Sequence, residues 1–189
     1  MGVRWGQLVE GPRDGATAIT VTHLQMTQAP DQAASAAPNG VYLREVTGTN
    51  KAISRRLYLD IGAAWGWVDR QDWSLEQWTA WTDRPQHHLL VALDGNDVIG
   101  YAELDQCAGG SVELAFFGLY PTYHGRGIGR WLLEQAIALA WALPGTQACV
   151  VHTCDLDATA ALGNYLARGF AVTHREIEWR LTATDSVQP

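Results

Sequence analysis

Hydrophobic and polar positions along the chain repeat with two periods. Residues 17–27 alternate as a half-buried strand does and are rich in β-branched side chains. Strands are also predicted over 43–46, 88–93, 98–104, 111–119 and 148–153, with residues 94–97, Asp-Gly-Asn-Asp, as the turn between the third and fourth of the six. Helical spacing runs through Ile53, Leu57, Tyr58 and Ile61 in the stretch 51–61. It returns at Leu132, Leu133, Ala136, Leu139 and Leu143, in a helix that starts at Gly129 and stops at Pro144-Gly145. Ser74 followed by Gln77 forms a capping box and opens a short helix that ends before Pro85. Residues 158–167 predict a further helix, and 170–181 a hairpin or strand pair whose exposed strand could join two subunits in a homodimer. The Ala-, Pro- and Ser-rich stretch 28–40 predicts a weakly ordered linker. Strands followed by helix, strand, helix and strand give an α/β sandwich with a mixed sheet.

Length and composition narrow the possibilities. With 189 residues, 47% of them hydrophobic, the chain suits one domain over 1–189, its first 40 residues being an N-terminal strand plus the linker. A net charge of −7 and a single lysine, Lys51, argue against a nucleic-acid surface and mildly favour cationic ligands. No apolar run approaches the ~20 residues that cross a bilayer, and the start at Met1 lacks a signal-peptide core, so no membrane partner and a cytoplasmic location are expected. Cys107, Cys149 and Cys154 are odd in number and show no paired short spacing, which predicts free thiols. His152 and Cys154 share one strand face but lack further ligands nearby, so no metal is expected.

The most informative stretch is the strand 111–119, a glycine-rich loop and the helix that follows. In the loop, His124-Gly125-Arg126-Gly127-Ile128-Gly129, alternate glycines let backbone approach a phosphate, and the first helix amides lack intrahelical partners and point at the anion. No Gly-Lys-Ser/Thr follows, and no acidic residue stands about 20 positions on, which sets aside P-loop and dinucleotide-binding chemistry.

This loop resembles the pyrophosphate loop of the GCN5-related N-acetyltransferase (GNAT) superfamily, whose pattern is Arg or Gln, two residues, Gly, one residue, Gly or Ala. Here His124 takes the first position and Gly127 and Gly129 the others. A second segment, Ala161-Leu162-Gly163-Asn164-Tyr165-Leu166-Ala167-Arg168-Gly169-Phe170, is similar to the family's Ala-x-x-Leu-Tyr-x-x-x-Gly-Phe, with Asn164 in place of Leu. The likeness covers residues 86–182. It implies a mixed, mainly antiparallel β-sheet flanked by helices on both faces. It also implies an acetyl-CoA-dependent N-acetyltransferase acting by direct attack in a ternary complex.

The resemblance further assigns residues. Gly125, Arg126, Gly127, Ile128, Gly129 and Arg130 would hold the diphosphate with His124, Phe117 and Leu119 would lend backbone groups to pantetheine, and Asn164 falls in the same cofactor site. Glu113, 11 residues before His124, matches the general-base glutamate of histone-acetylating members and is expected to share a strand face with Ala115, Phe117 and Leu119. It would act through water unless its surroundings raise its pKa, with Glu103 as the reserve. Tyr165 matches a tyrosine that meets the CoA sulfur and is expected to donate a proton to the leaving thiolate. Trp65, Trp67, Trp73, Trp78 and Trp81 crowd the region where the family builds its acceptor wall; packing of helices onto the sheet is the more economical role for them. The acceptor is a small-molecule or peptide amine. A non-catalytic CoA-binding or interaction module, a longer acyl donor and an oxygen acceptor stay open.

Overall fold

The computed structural model describes residues 4–48 and 52–183; Lys51, the expected start of the first helix, and Met1 lie outside them. The strands are β1 (Arg4–Val9), β2 (Ala16–Met26), β3 (Val41–Val46), β4 (His87–Asp94), β5 (Asp97–Gln106), β6 (Ser111–Leu119), β7 (Ala148–Cys154) and β8 (Ala171–Ala183). The helices are α1 (Ile53–Gly62), α2 (Leu75–Thr82), α3 (Ile128–Ala142) and α4 (Ala161–Leu166). One sheet runs in the order β1-β8-β2-β7-β6-β5-β4-β3. Every neighbouring pair is antiparallel except β6 and β7.

Strand alternation feeds a core on each face. Leu89, Val91, Leu93 and Tyr101 turn toward Leu57 and Ile61 of α1, while Leu90, Ala102, Leu104 and Leu114 turn toward Leu133, Ala136 and Ile137 of α3. Burying a side chain of this size contributes about 1.5–3 kcal/mol, so the two faces together fix the sheet between its helices. The capping box of α2 is made: the Ser74 hydroxyl accepts from the Gln77 amide, and the Gln77 side chain accepts from the Ser74 amide.

Four expectations change. Residues 171–183 form one long strand, not a hairpin, and β8 is paired on both sides by β2 and β1, so the strand edge expected to join two subunits is covered. The strand β1 itself was not foreseen. The stretch 28–40 is docked: the Ser35 amide donates to Glu134 of α3 at 3.0 Å, and Gln135 donates to the Ser35 carbonyl at 3.1 Å. In β6 the register against β5 slips between Leu114 and Phe116, leaving Ala115 as an extra residue. Because side chains alternate at every residue, that bulge reverses the faces beyond it. Phe117 and Leu119 therefore pack toward α3 with Leu114, whereas Glu113 lies on the opposite face and does not share theirs.

Candidate acyl-transfer site

The parallel pairing of β6 and β7 spans only residues 111–113 against 148–150. Beyond Glu113 the strands part, and a cavity of about 980 Å³ opens between them, bounded by the loop 124–130, by α4 and by the segment joining α1 to α2. The separation leaves the β6 edge from Leu114 to Leu119 facing the cavity with backbone groups that β7 does not use.

At one end stands the glycine loop. Gly125 and Gly127 have φ of 74° and 77°, a left-handed conformation that costs an L side chain about 1–2 kcal/mol. A Cβ at either would meet nothing within 4 Å, so these glycines serve conformation, not clearance. The first backbone bond of α3 runs from the Trp131 amide to the Gly127 carbonyl, leaving the preceding amides for an anion. Gly125, Gly127, Gly129, Arg130 and Asn164 line the cavity. His124 lines it too, but its Nε2 lies 3.1 Å from the Leu119 carbonyl and its ring rests against Trp65, so the side chain staples the turn to its strand. Arg126 stands over the Tyr123 ring at 5.2 Å and Arg130 pairs with Glu134 at 2.9 Å, so both guanidiniums already have partners.

Tyr165 lines the cavity from α4, buried edge-to-face against Phe170. Burial, with Asp157 a smaller contributor, pushes its phenol well above the ordinary value. A phenol of ordinary pKa about 10 is already a weaker acid than a thiol of about 8.5, so full proton transfer to a thiolate is uphill before burial steepens it. The hydroxyl is suited to hydrogen bonding a sulfur while keeping its proton, a correction to the expected proton donor.

At the other end the site is made of side chains. Glu113 lines it with Oε1 3.4 Å from Nδ1 of His152 on β7. The neighbouring imidazole, outweighing burial, holds the Glu113 carboxyl below its ordinary range, and the same contact raises His152. Direct proton abstraction by the carboxylate needs that pKa raised, and Glu113 has the opposite shift. Glu103 is no reserve: it is fully buried beneath α1 and does not line the cavity. Despite burial its pKa is lowered, because His87, Ser54 and Arg70 surround the carboxylate, and Trp81 Nε1 donates to it at 3.2 Å.

Arg70 connects Glu103 to the cavity. Its guanidinium lies 3.7 Å from the Trp81 ring centre, 4.4 Å from Phe116 and 4.8 Å from Trp73, with Nη1 3.4 Å from Glu103. Trp73, Trp78 and Trp81 thus form a box around a buried cation, while Trp65 and Trp67 line the cavity. Arg180 is held by Asp69 at 3.8 Å, Glu178 at 3.1 Å and the Gly66 carbonyl. Asp69, Glu113, Asp157 and Glu178 therefore face the cavity against Arg70 and Arg180, an excess of carboxylates that suits a cationic ligand. Burial raises the Cys154 thiol, which keeps it protonated and unfit as an acyl carrier. Arg70 and Arg180 were missed in the sequence, and His152 was weighed there only as a metal ligand beside Cys154, because nothing in the sequence marks the partner each would meet.

Among the described residues His23, His174 and Glu176 have ligand atoms within 4.8 Å of one another. The His23 and His174 rings stack at 4.1 Å and 6°, so their in-plane lone pairs run side by side and do not meet at one point. No helix among the described residues is long and apolar enough to cross a membrane.

Residues 49–170 match the Acetyltransferase (GNAT) family. The chain is 34% identical over 106 residues to the N-alpha-acetyltransferase RimI of Mycobacterium tuberculosis, in a match covering 54% of this chain and 64% of that protein. Its fold is similar to a GCN5-related N-acetyltransferase from Sphaerobacter thermophilus, with TM-score 0.69 at 20% identity, covering 93% of this chain and 55% of that one. It is also similar to a tandem GNAT protein from the clavulanic acid biosynthesis pathway, with TM-score 0.62 at 16% identity, covering 97% and 64%. The chain thus spans between half and two thirds of the length of these relatives.

Proposed function

Because the chain belongs to the acetyltransferase (GNAT) family, we propose that it transfers the acetyl group of acetyl-CoA to a primary amine by direct attack in a ternary complex. The observation that carries this is the parting of β6 from β7 beside a loop of left-handed glycines. The free amides of residues 125–130 would hold the diphosphate, and the β6 edge at Phe117 would pair with pantetheine as an added strand does. Leu119 contributes its carbonyl to His124 instead, so Phe117 carries more of that pairing than expected. When bound, acetyl-CoA supplies a thioester carbonyl activated toward amines. Tyr165 would hydrogen bond at the sulfur, and Asn164 would line the approach from α4. The carboxylates Asp69, Glu113, Asp157 and Glu178 would collect the acceptor as its ammonium.

The test is release of free thiol from acetyl-CoA with an amine panel. That panel includes peptides with free amino termini, because the relative in M. tuberculosis is named for N-alpha acetylation. Turnover with at least one amine is expected; acetyl-CoA binding without thiol release across the panel would favour a non-catalytic CoA-binding module.

A further inference from the structure

We propose that His152 is the catalytic base for the acceptor amine and that Glu113 is its positioning partner, not the base itself. This inference rests on the transfer function proposed above and assigns its proton path. Both residues line the cavity where β6 and β7 part. They come together because the short parallel register sets Glu113 opposite Val150, which brings the next β7 residues of that face, His152 included, beside the carboxylate. His152 Nδ1 is turned to Glu113 at 3.4 Å, which leaves Nε2 for the acceptor. An Nδ1 proton held by a carboxylate fixes the tautomer whose Nε2 accepts, and the same carboxylate stabilises the imidazolium that forms.

The side chains differ in access. His152 is half exposed, at 50%, whereas Glu113 is 31% exposed. The imidazole therefore meets an incoming ammonium more readily. The charged groups around His152 come from each element packed against it: Glu113 on β6, Asp157 after β7, Asp69 and Arg70 between α1 and α2, Arg180 on β8, and His23 on β2, whose ring lies 5.8 Å away. His23 is itself paired with Glu176 at 2.8 Å, so charge on it is balanced. The imidazole is raised from its ordinary value by Glu113 first, with Asp157 and Asp69 adding to it. An imidazole raised from its ordinary value is better matched to neutral pH than a carboxylate held low.

The protons balance. One proton of the acceptor ammonium passes to Nε2 of His152 and later to solvent. The neutral amine attacks the thioester carbonyl carbon, the carbon–sulfur bond breaks, and the second proton, released as the amide forms, ends on the sulfur of CoA. The products are an acetylated amine, CoA thiol and one proton.

The experiment combines rate and titration on the full chain. With acetyl-CoA and an amine found in the panel, kcat/KM should fall on the acid side as His152 protonates. His152→Gln should lower kcat/KM by about 100-fold and flatten that acid limb. Glu113→Gln should lower kcat/KM as well, by less than His152→Gln does, and move the limb to lower pH. Nuclear magnetic resonance of the His152 ring, read without acceptor, should show a pKa above 6.5 that drops in Glu113→Gln. Near-normal rate in His152→Gln with activity abolished in Glu113→Gln would overturn the assignment, as would a ring titration indifferent to Glu113→Gln. Failure to turn over any amine would instead sink the transfer function, and the base assignment with it.

Discussion

The two ends of the cavity are built from different material. At the end where we place the cofactor the chain offers backbone: two glycines at positive φ, a helix start with free amides, and a strand edge released by its neighbour. At the end where we place the acceptor it offers side chains, with Arg70 between Trp81 and Phe116, Arg180 between Asp69 and Glu178, and His152 against Glu113. A backbone site places its demand on local conformation, which few residues satisfy, so its glycines stand in one short run. A side-chain site places its demand on groups that meet only after folding. Arg70, Trp81, Glu103 and Phe116 come from four separate segments, and any one of them alone reads as an ordinary residue.

The largest test of that contrast is Arg70→Met. Removing the guanidinium leaves Glu103, which is fully buried, facing Trp81 and His87 without its cation. Breaking one side of a buried pair typically costs about 3–5 kcal/mol, a large share of a domain's stability of about 5–15 kcal/mol. Chemical denaturation should show a loss of that size. Adding Glu103→Gln should restore part of it by removing the stranded charge. A loss under about 1 kcal/mol would mean that the aromatic box is not a structural unit, and the acceptor end would then be as adaptable as a surface.

Legibility in the sequence follows the same division. The loop 124–129, the helix α3 and its stop at Gly145, and the capping box at Ser74 and Gln77 were all readable, because each depends on residues within one turn of each other. Strands β2 to β7 were readable from alternation. The bulge at Ala115 was not, since nothing in Leu114-Ala115-Phe116 announces an extra residue, and it puts Phe117 and Leu119 on the opposite face from Glu113. The His152–Glu113 contact was hidden for a related reason: it requires knowing that β6 and β7 are parallel neighbours for only three residues. The strand β1 hides behind Gly6 and a short run of six residues. For β8 a signal was present: no Gly, Pro or Asn falls between Ala171 and Ala183, so a hairpin had no residue to turn on.

Gly127→Ala tests the backbone end, with a smaller expected effect. A methyl group at φ of 77° finds open space but costs about 1–2 kcal/mol in conformation. If the loop amides hold the diphosphate, that strain should appear as roughly tenfold weaker acetyl-CoA binding by calorimetry, a factor of ten being about 1.4 kcal/mol. Arg126→Ala, which removes a side chain resting on Tyr123, should weaken binding by no more than about fivefold, the size of an exposed ion pair. The opposite ranking would make the cofactor end a side-chain site as well, and the contrast would fail.

Glu134 sharpens the contrast from within, because it is the place where side chains serve the backbone end. It receives the Ser35 amide, Arg130 and Arg168, and so ties the stretch before β3 to the helix that carries the loop. Although partial burial acts to raise it, bonds from Ser35 and Arg130 hold its carboxyl at about 2. A carboxyl depressed in the folded state adds stability that is present above its unfolded value of 4.5 and is lost as pH falls toward 2. Glu134→Gln should therefore cost about 1 kcal/mol at pH 7, once solvent screening of its exposed partner Arg130 is allowed for. The gap between the two proteins should close between pH 4.5 and pH 2. Denaturation midpoints at pH 7 and near pH 2.5 measure it. A gap of equal size at both would mean that the carboxylate contributes by shape and not by charge, leaving packing and the Gln135–Ser35 bond to hold residues 28–40 to α3.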